Sequence, residues 1–289
     1  MKLFLGLLTS HRLDKLKRLI QTVREQYRTP EIDLHPVIVV NTLDDNYYQE
    51  VLKAQLGYPV VRTESNGKPG KGKNSVAELF LGTDCDFMTQ FDGDDLLYPT
   101  YLRSIWNHVK HFPSLDVLGI IPLDIVKTRS TGLGYEFPVG NFVGSVWGVS
   151  LVANEGRNPS PARGSWLDET LPRSNDYTIL QSKKSAKIKI DEDIAVGEDH
   201  LYTMQLLSLH QKGELQYFQT MSSDMYIVDA TVENSIQKQF PQHHHVQELK
   251  NKGIQYLNPH RSNFGELPLI YKELLMTPIQ KQKWVQGIF

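Results

Sequence analysis

A single cysteine, Cys85, stands in 289 residues, so no internal disulfide framework can form and the chain suits a reducing compartment. No histidine lies near Cys85 in sequence, which makes it a small buried residue rather than a nucleophile. No apolar run approaches the ~20 residues that a membrane span needs. Lys2 followed by Leu3-Phe4-Leu5-Gly6-Leu7-Leu8 imitates a short secretory leader, but no small-residue cleavage site follows and a buried first strand explains the run better. A cytoplasmic location is the expectation. Neither sign of charge prevails: the formal net charge is −2, which gives no general pull toward nucleic acid or an anionic membrane. Internal repeats and low-complexity tracts are missing, and His243-His244-His245 is an internal run without recognisable ligand spacing.

What is present is an ordinary globular composition, 40% hydrophobic and 22% charged, long enough for one large domain or two packed lobes. Lys2 to Leu8 reads as a strand. Leu13, Leu16, Leu19, Ile20, Val23 and Tyr27 follow at helical spacing, with Pro30 closing that helix region. Pro36-Val37-Ile38-Val39-Val40 is a β-branched run of the kind covered on both faces of a sheet. Asp44 or Asp45 can cap a helix carrying Val51, Leu52 and Leu56, and Tyr58 to Arg62 is a third strand. This alternation predicts right-handed βαβ units and a mainly parallel sheet. The polar loops with Ser10, Asn41, Asp44 and Asp92 then gather along one edge.

Asn66-Gly67-Lys68-Pro69-Gly70-Lys71-Gly72-Lys73-Asn74 reads as a basic loop, with Ser75 opening a helix. Glycines allow close backbone approach, and lysines beside a helix start favour an anionic group. The spacing lacks both the Walker pattern and GxGxxG. Asp86 to Phe91 reads as a short strand, followed by Asp92-Gly93-Asp94-Asp95 and by Pro99 as the first residue of a helix. Three carboxylates at the C-terminal end of a strand need neutralising. Hard cations such as Mg²⁺ and Mn²⁺ take oxygen ligands and share them with phosphates. An acidic loop capping the next helix explains the same residues without a ligand.

In the second half, Leu102, Ile105, Trp106 and Val109 mark a helix face and Asp116 to Pro122 another buried strand. From Lys127 to about Asp193 the periodicity weakens. Arg157 to Arg173 reads as a long surface loop, and Lys183, Lys184, Lys187 and Lys189 as a solvated face. Gly140 to Trp147, with Asn141 and Trp147, offers amides and an aromatic face for a sugar acceptor; Trp147 also suits an ordinary core. Glu198-Asp199 opens an apolar helix with Leu201, Met204 and Leu207, where carboxylates also simply favour the helix dipole.

Taken together, Phe91-Asp92-Gly93-Asp94-Asp95 with Pro99, Gly72-Lys73-Asn74, Val39 to Asp45, Gly197-Glu198-Asp199-His200 and Tyr226 to Ile236 resemble the motif set of GT-A-fold glycosyltransferases, especially inverting family 2. The resemblance covers roughly residues 1–236. It departs in placing Asn41-Thr42-Leu43 before the acidic pair of strand two, and in carrying Asp229 and Thr231 where a basic residue or histidine is common. It implies an α/β fold with a Rossmann-like, mostly parallel sheet flanked by helices. Residues 1–125 would be the nucleotide-sugar-binding half, 126–236 the acceptor-binding and catalytic half, and 237–289 a helical tail. It implies transfer of a sugar from a UDP- or GDP-sugar to a glycan or other hydroxyl acceptor. Asp94 and Asp92 would hold Mn²⁺ or Mg²⁺; Thr9, Ser10, Asn41, Asp44, Lys68, Lys73, Asn74, Asp92 and Asp95 would contact the donor. Asp199 would be the catalytic base and Glu198 would orient acceptor or loop. A nucleotidyltransferase acting on a sugar phosphate, or a non-catalytic carbohydrate-binding protein, would use many of the same residues.

Overall fold

The computed structural model of the chain describes residues 1–126, 178–195 and 197–229, with 252, 269–270, 276, 280 and 283–284. Strands β1 (Lys2–Thr9), β2 (Asp33–Asn41), β3 (Val60–Thr63) and β4 (Phe87–Asp92) are connected through helices α1 (Leu13–Arg24), α2 (Asp45–Lys53) and α3 (Pro69–Leu81). β5 (Leu96–Leu97), α4 (Tyr101–His111) and β6 (Val117–Val126) follow. The second half contributes β7 (Thr178–Ser182), α5 (Lys183–Ala186), α6 (Glu198–Gln211), β8 (Tyr217–Asp229) and β9 (Leu269–Ile270). All the described strands join one sheet, nine-stranded among the described residues, in the order β3-β2-β1-β4-β7-β6-β8-β5, with β9 on β8. β3, β2, β1 and β4 run parallel, as do β6 and β8; β7 lies antiparallel between β4 and β6. This is the mostly parallel, helix-flanked sheet expected from the alternation.

The alternating side chains of β1 separate the core into two layers. Leu3, Leu5 and Leu7 pack with Leu16, Leu19, Ile20 and Val23 of α1 on one face. Phe4 and Leu8 pack with Val76 and Phe80 of α3, Met88 and Cys85 on the other. β2 divides in the same way, Ile38 and Val40 to the first layer and Val39 to the second. Cys85 is buried, in keeping with its reading as a small core residue.

Several boundaries differ from the sequence reading. α1 ends at Arg24, and Tyr27 is 52% exposed instead of continuing the stripe. The chain leaves the helix because Gln26 and Tyr27 bind the backbone around β5: Gln26 Nε2 donates to the Tyr98 carbonyl at 2.8 Å and the Tyr27 amide to the Pro99 carbonyl at 2.8 Å. Pro99 therefore precedes α4, whose N-cap is Thr100. α2 buries Val51 but leaves Leu52 exposed, and Leu56 lies beyond its end. β7 was not legible as a strand; its Ile179 and Leu180 are buried by partners far away in sequence. Lys183 is not simply solvated, for its ammonium lies 5.8 Å from the centre of the Phe80 ring. Among the described tail residues, Met276 is buried with Leu96, Tyr98 and Ile227, and Trp284 packs against Tyr98. Among the described residues no helix is long and apolar enough to cross a membrane.

Gly6 sets the distance between β1 and α3: a Cβ at this position would fall 2.3 Å from Val76 Cγ1. Gly6→Ala should therefore cost about 1–3 kcal/mol, as overpacking does in tight cores. Adding Val76→Ala should return part of that loss beyond additivity. Urea denaturation of the two single variants and the double variant checks this, and strict additivity would count against the contact.

Candidate functional site

Parallel pairing aligns the C-terminal ends of four strands. Leu8 pairs with Asp92, Thr9 with Val40, and Asn41 with Thr63. Crevices outside such strand ends are where open α/β sheets bind ligands. The expected gathering of polar loops is thus present, although several of the polar groups also hold the edge together. Asn41 is buried and its amide donates to Thr63 Oγ1 at 2.9 Å and to the Glu64 carbonyl at 2.6 Å. Asp44, not Asp45, caps α2 by accepting from the Asn46 amide at 2.9 Å. Thr9 is buried and shares a hydrogen bond with the Tyr47 hydroxyl. Burial pushes that phenol up to about 12 against the opposing Thr9 hydrogen bond, so it remains a hydroxyl at neutral pH. Ser10 is exposed, 2.6 Å from His11 Nδ1.

The acidic loop begins at the end of β4. The Asp95 amide donates to the Asp92 carbonyl at 3.0 Å, closing a tight turn. Gly93 allows a close approach: a Cβ there would lie 3.1 Å from the Leu8 carbonyl oxygen and 3.2 Å from Thr9, so either neighbour would have to give by a few tenths of an ångström. The loop is thus pressed onto the end of β1, leaving Asp92 exposed and Asp94 and Asp95 partly so. Asp94 accepts from Arg12 Nη1 at 3.3 Å. Arg12 itself has left-handed backbone, φ 70 and ψ 70, at the start of α1. Sequence reasoning passed over Arg12; its position directly after the β1 loop was the available signal.

The basic stretch is a loop only as far as Lys68. Helix α3 starts at Pro69, with Lys68 as N-cap, so Gly70, Lys71, Gly72, Lys73 and Asn74 are all helical. Proline suits the first turn because its missing N–H has no partner to lose there. The two helical glycines permit close packing: a Cβ on Gly70 would fall 2.6 Å from the Asp191 carbonyl oxygen, and one on Gly72 3.1 Å from Leu8. The buried Asn74 side chain binds the Ile190 carbonyl and amide, each at 2.9 Å, and Glu192 Oε1 at 2.8 Å. Lys68 donates to the Asp193 carbonyl at 2.7 Å, and Lys71 pairs with Glu192 at 3.4 Å. The helix is therefore a docking face for residues 190–195, which lead into α6.

At the end of that segment Lys73 Nζ meets Glu198 Oε1 at 2.7 Å, with both side chains almost wholly buried. Burial alone would lower the Lys73 ammonium, but the charges of Glu198, Asp92 and Asp199 outweigh it and hold it above its ordinary value. Burial pushes the Glu198 carboxyl up; Lys73 opposes that rise and Asp199 adds to it. The ammonium thus contacts Glu198 at the start of α6 and lies in the field of Asp199 and of Asp92 from the acidic loop. Asp199 follows Gly197, whose φ of 86 suits glycine, in the first turn of the helix.

Among the described residues no three His, Cys, Asp or Glu side chains stand close enough to hold a metal by themselves. Asp92 and Asp94 nevertheless suit a hard cation that completes its shell with phosphate oxygens and water, since exposed carboxylates are the donors Mg²⁺ and Mn²⁺ accept. Asn141 and Trp147, the Arg157–Arg173 stretch, His243, His244, His245 and His260 lie outside the described residues, as does the segment after Asp229 that includes Thr231 and Asn234 to Ile236.

No protein-family model matches the chain, and no curated protein matches it in sequence. Solved structures do. Residues 1–349 of S. aureus TarS in complex with UDP-GlcNAc match 92% of this chain and 70% of that one, with TM-score 0.58 and 16% identity. A longer S. aureus TarS structure matches at TM-score 0.54 and 17% identity, and this chain spans 42% of its length. The mannosyltransferase PcManGT from Pyrobaculum calidifontis, in complex with GDP-Man and Mn²⁺, matches 88% of this chain and 64% of that one at TM-score 0.52 and 13% identity. The fold is the GT-A type of these glycosyltransferases.

Lys73→Met should destabilise the protein by about 3–5 kcal/mol, because it leaves Glu198 buried without its partner. In that variant the Glu198 carboxyl should rise further above its ordinary 4.5. The folded state then binds the proton more tightly than the unfolded chain, so the deficit grows as pH rises above 4.5 and shrinks in acid. Lys73→Met/Glu198→Gln should recover part of the loss at neutral pH. Denaturant unfolding across acid to neutral pH measures both effects.

Proposed function

We propose that the protein is a glycosyltransferase that moves a sugar from a nucleoside-diphosphate sugar to an acceptor hydroxyl, inverting the anomeric carbon. The observation that carries this reading is the buried contact between Lys73 and Glu198, which holds the Glu198-Asp199 start of α6 against α3, with Asp92 of the acidic loop contributing to the charge around the same ammonium. The acidic loop lies at the C-terminal ends of parallel strands, on a fold shared with proteins solved with UDP-GlcNAc and with GDP-Man and Mn²⁺.

In this reading Asp94 and Asp92 would hold a divalent cation, and Mn²⁺ or Mg²⁺ bound there would supply positive charge for the leaving diphosphate. Thr9, Ser10, Asn41 and Asp44 border the donor nucleoside, with Asp95 supporting the loop. Glu198 is occupied by Lys73, which keeps the first turn of α6 in place. Asp199 beside it is the base. It takes the proton from the acceptor hydroxyl as the acceptor oxygen bonds to the sugar C1, and the bond from C1 to the diphosphate breaks on the opposite side. The nucleoside diphosphate leaves with the electron pair of that bond. Glycans and other hydroxyl compounds are the acceptor class, and the region of Asn141 and Trp147 is assigned to them.

A panel of UDP- and GDP-sugars with and without Mn²⁺, read by released nucleoside diphosphate, tests the assignment. One donor should be consumed in a metal-dependent way, and the product should carry the inverted configuration by NMR. Asp199→Asn should lower turnover about 100-fold or more, the usual worth of a positioned base, with little change in donor affinity. Full activity of that variant would remove Asp199 from the role. Nucleoside triphosphate consumption with pyrophosphate release would instead identify a nucleotidyltransferase.

A further inference from the structure

The lysines that the sequence offers to a diphosphate are engaged by the protein itself. Lys68 holds the Asp193 carbonyl, Lys71 pairs with Glu192, and Lys73 is buried against Glu198. Among the described residues, Arg12 is a cation in contact with the acidic loop, reaching Asp94 across 82 residues of sequence. This pair is more open to solvent than the Lys73 pair, with side-chain exposures of 20% and 32% against 12% and 8%; the Lys71–Glu192 pair is more open still, but its carboxylate lies on the segment before α6 and not on the acidic loop. Its donor is a guanidinium, always charged and shaped to meet two oxygens at once. Arg12 also keeps left-handed backbone, one of two non-glycine residues among those described to do so. Only a constraint from the surroundings holds such a residue there, and sites that bind ligands are where such constraints collect.

We propose that Arg12 is the diphosphate-binding cation of the donor site, held by Asp94 until the donor arrives. This rests on the nucleotide-sugar reading above. A diphosphate offers the guanidinium more oxygens and more negative charge than one carboxylate does. The same exchange takes the Arg12 contact off Asp94 when that carboxylate is needed by a cation. Arg12 thereby couples the end of β1 to the acidic loop, so that binding of the anionic part of the donor changes the charge that Asp94 faces.

Calorimetric titration in metal-free buffer containing EDTA tests this, with UDP, GDP, uridine and guanosine as the probes. Arg12→Gln should weaken binding of the preferred diphosphate roughly tenfold or more, the worth of a charged hydrogen bond, and leave the matching nucleoside unchanged. Arg12→Gly, which accepts the left-handed backbone without strain, should be as weak as Arg12→Gln. Asp94→Asn should bind the diphosphate more tightly than the parent, because the competing carboxylate charge is gone. Unchanged diphosphate affinity in both Arg12 variants would overturn the proposal and leave the nucleotide-sugar reading standing. Equal loss of nucleoside and diphosphate affinity would overturn it in favour of a structural role. If neither diphosphate binds the parent protein with or without Mn²⁺, while thermal unfolding shows it folded, the nucleotide-sugar reading falls and takes this proposal with it.

Discussion

The contact between Lys73 and Glu198 is the interaction on which the site depends. Two almost wholly buried charges from distant parts of the chain are costly to desolvate, and only close pairing makes their burial tolerable. That requirement specifies where α6 begins relative to α3. It also places Asp199 in a first turn whose preceding residue is fixed from outside. The surrounding contacts repeat the same constraint at lower cost: Asn74 binds Ile190 and Glu192, and Gly70 lies under the Asp191 carbonyl. Charge and close packing act together, since any side chain on Gly70 would hold the segment away from α3.

A second constraint operates on the other side of the sheet edge. Gly93 brings the acidic loop against Leu8 and Thr9, so the β1 end and the β4 end form one surface. Asn41 ties β2 to β3 in the same layer. The polar groups beside this surface thus have two kinds of occupation. Thr9, Asn41 and Asp44 hold strand ends and a helix cap, while Asp92, Asp94 and Asp199 keep some exposure to solvent. Rigid supports beneath accessible carboxylates are what a site needs if charge is to be met without rearrangement.

Much of the architecture was readable in one dimension. The β-branched run of β2, the helical stripe of α1 and the alternation of both are local patterns, and burial followed them. The acidic loop was also legible as a turn at the end of a strand, because Asp and Gly directly after a short apolar run favour one. β7 was not, since five residues without clear periodicity become a strand only through pairing with β4 and β6. The glycine-lysine stretch misled for a related reason. Glycine lowers helix propensity, so Gly70 and Gly72 read as a loop, whereas packing against Asp191 and Leu8 favours a helix with no side chains there.

By itself the sequence determined the parallel βαβ half, the position of the acidic loop at a strand end, and an aspartate cap at the start of α2. These depend on periodicity and on the chemistry of neighbouring residues. Only the tertiary structure decided which charges meet. Lys73 and Glu198 are 125 residues apart and Arg12 and Asp94 are 82 apart; no local propensity reports on such pairs. Coulomb energy depends on distance in space and on burial, and both are set by how the layers pack rather than by any single stretch of chain.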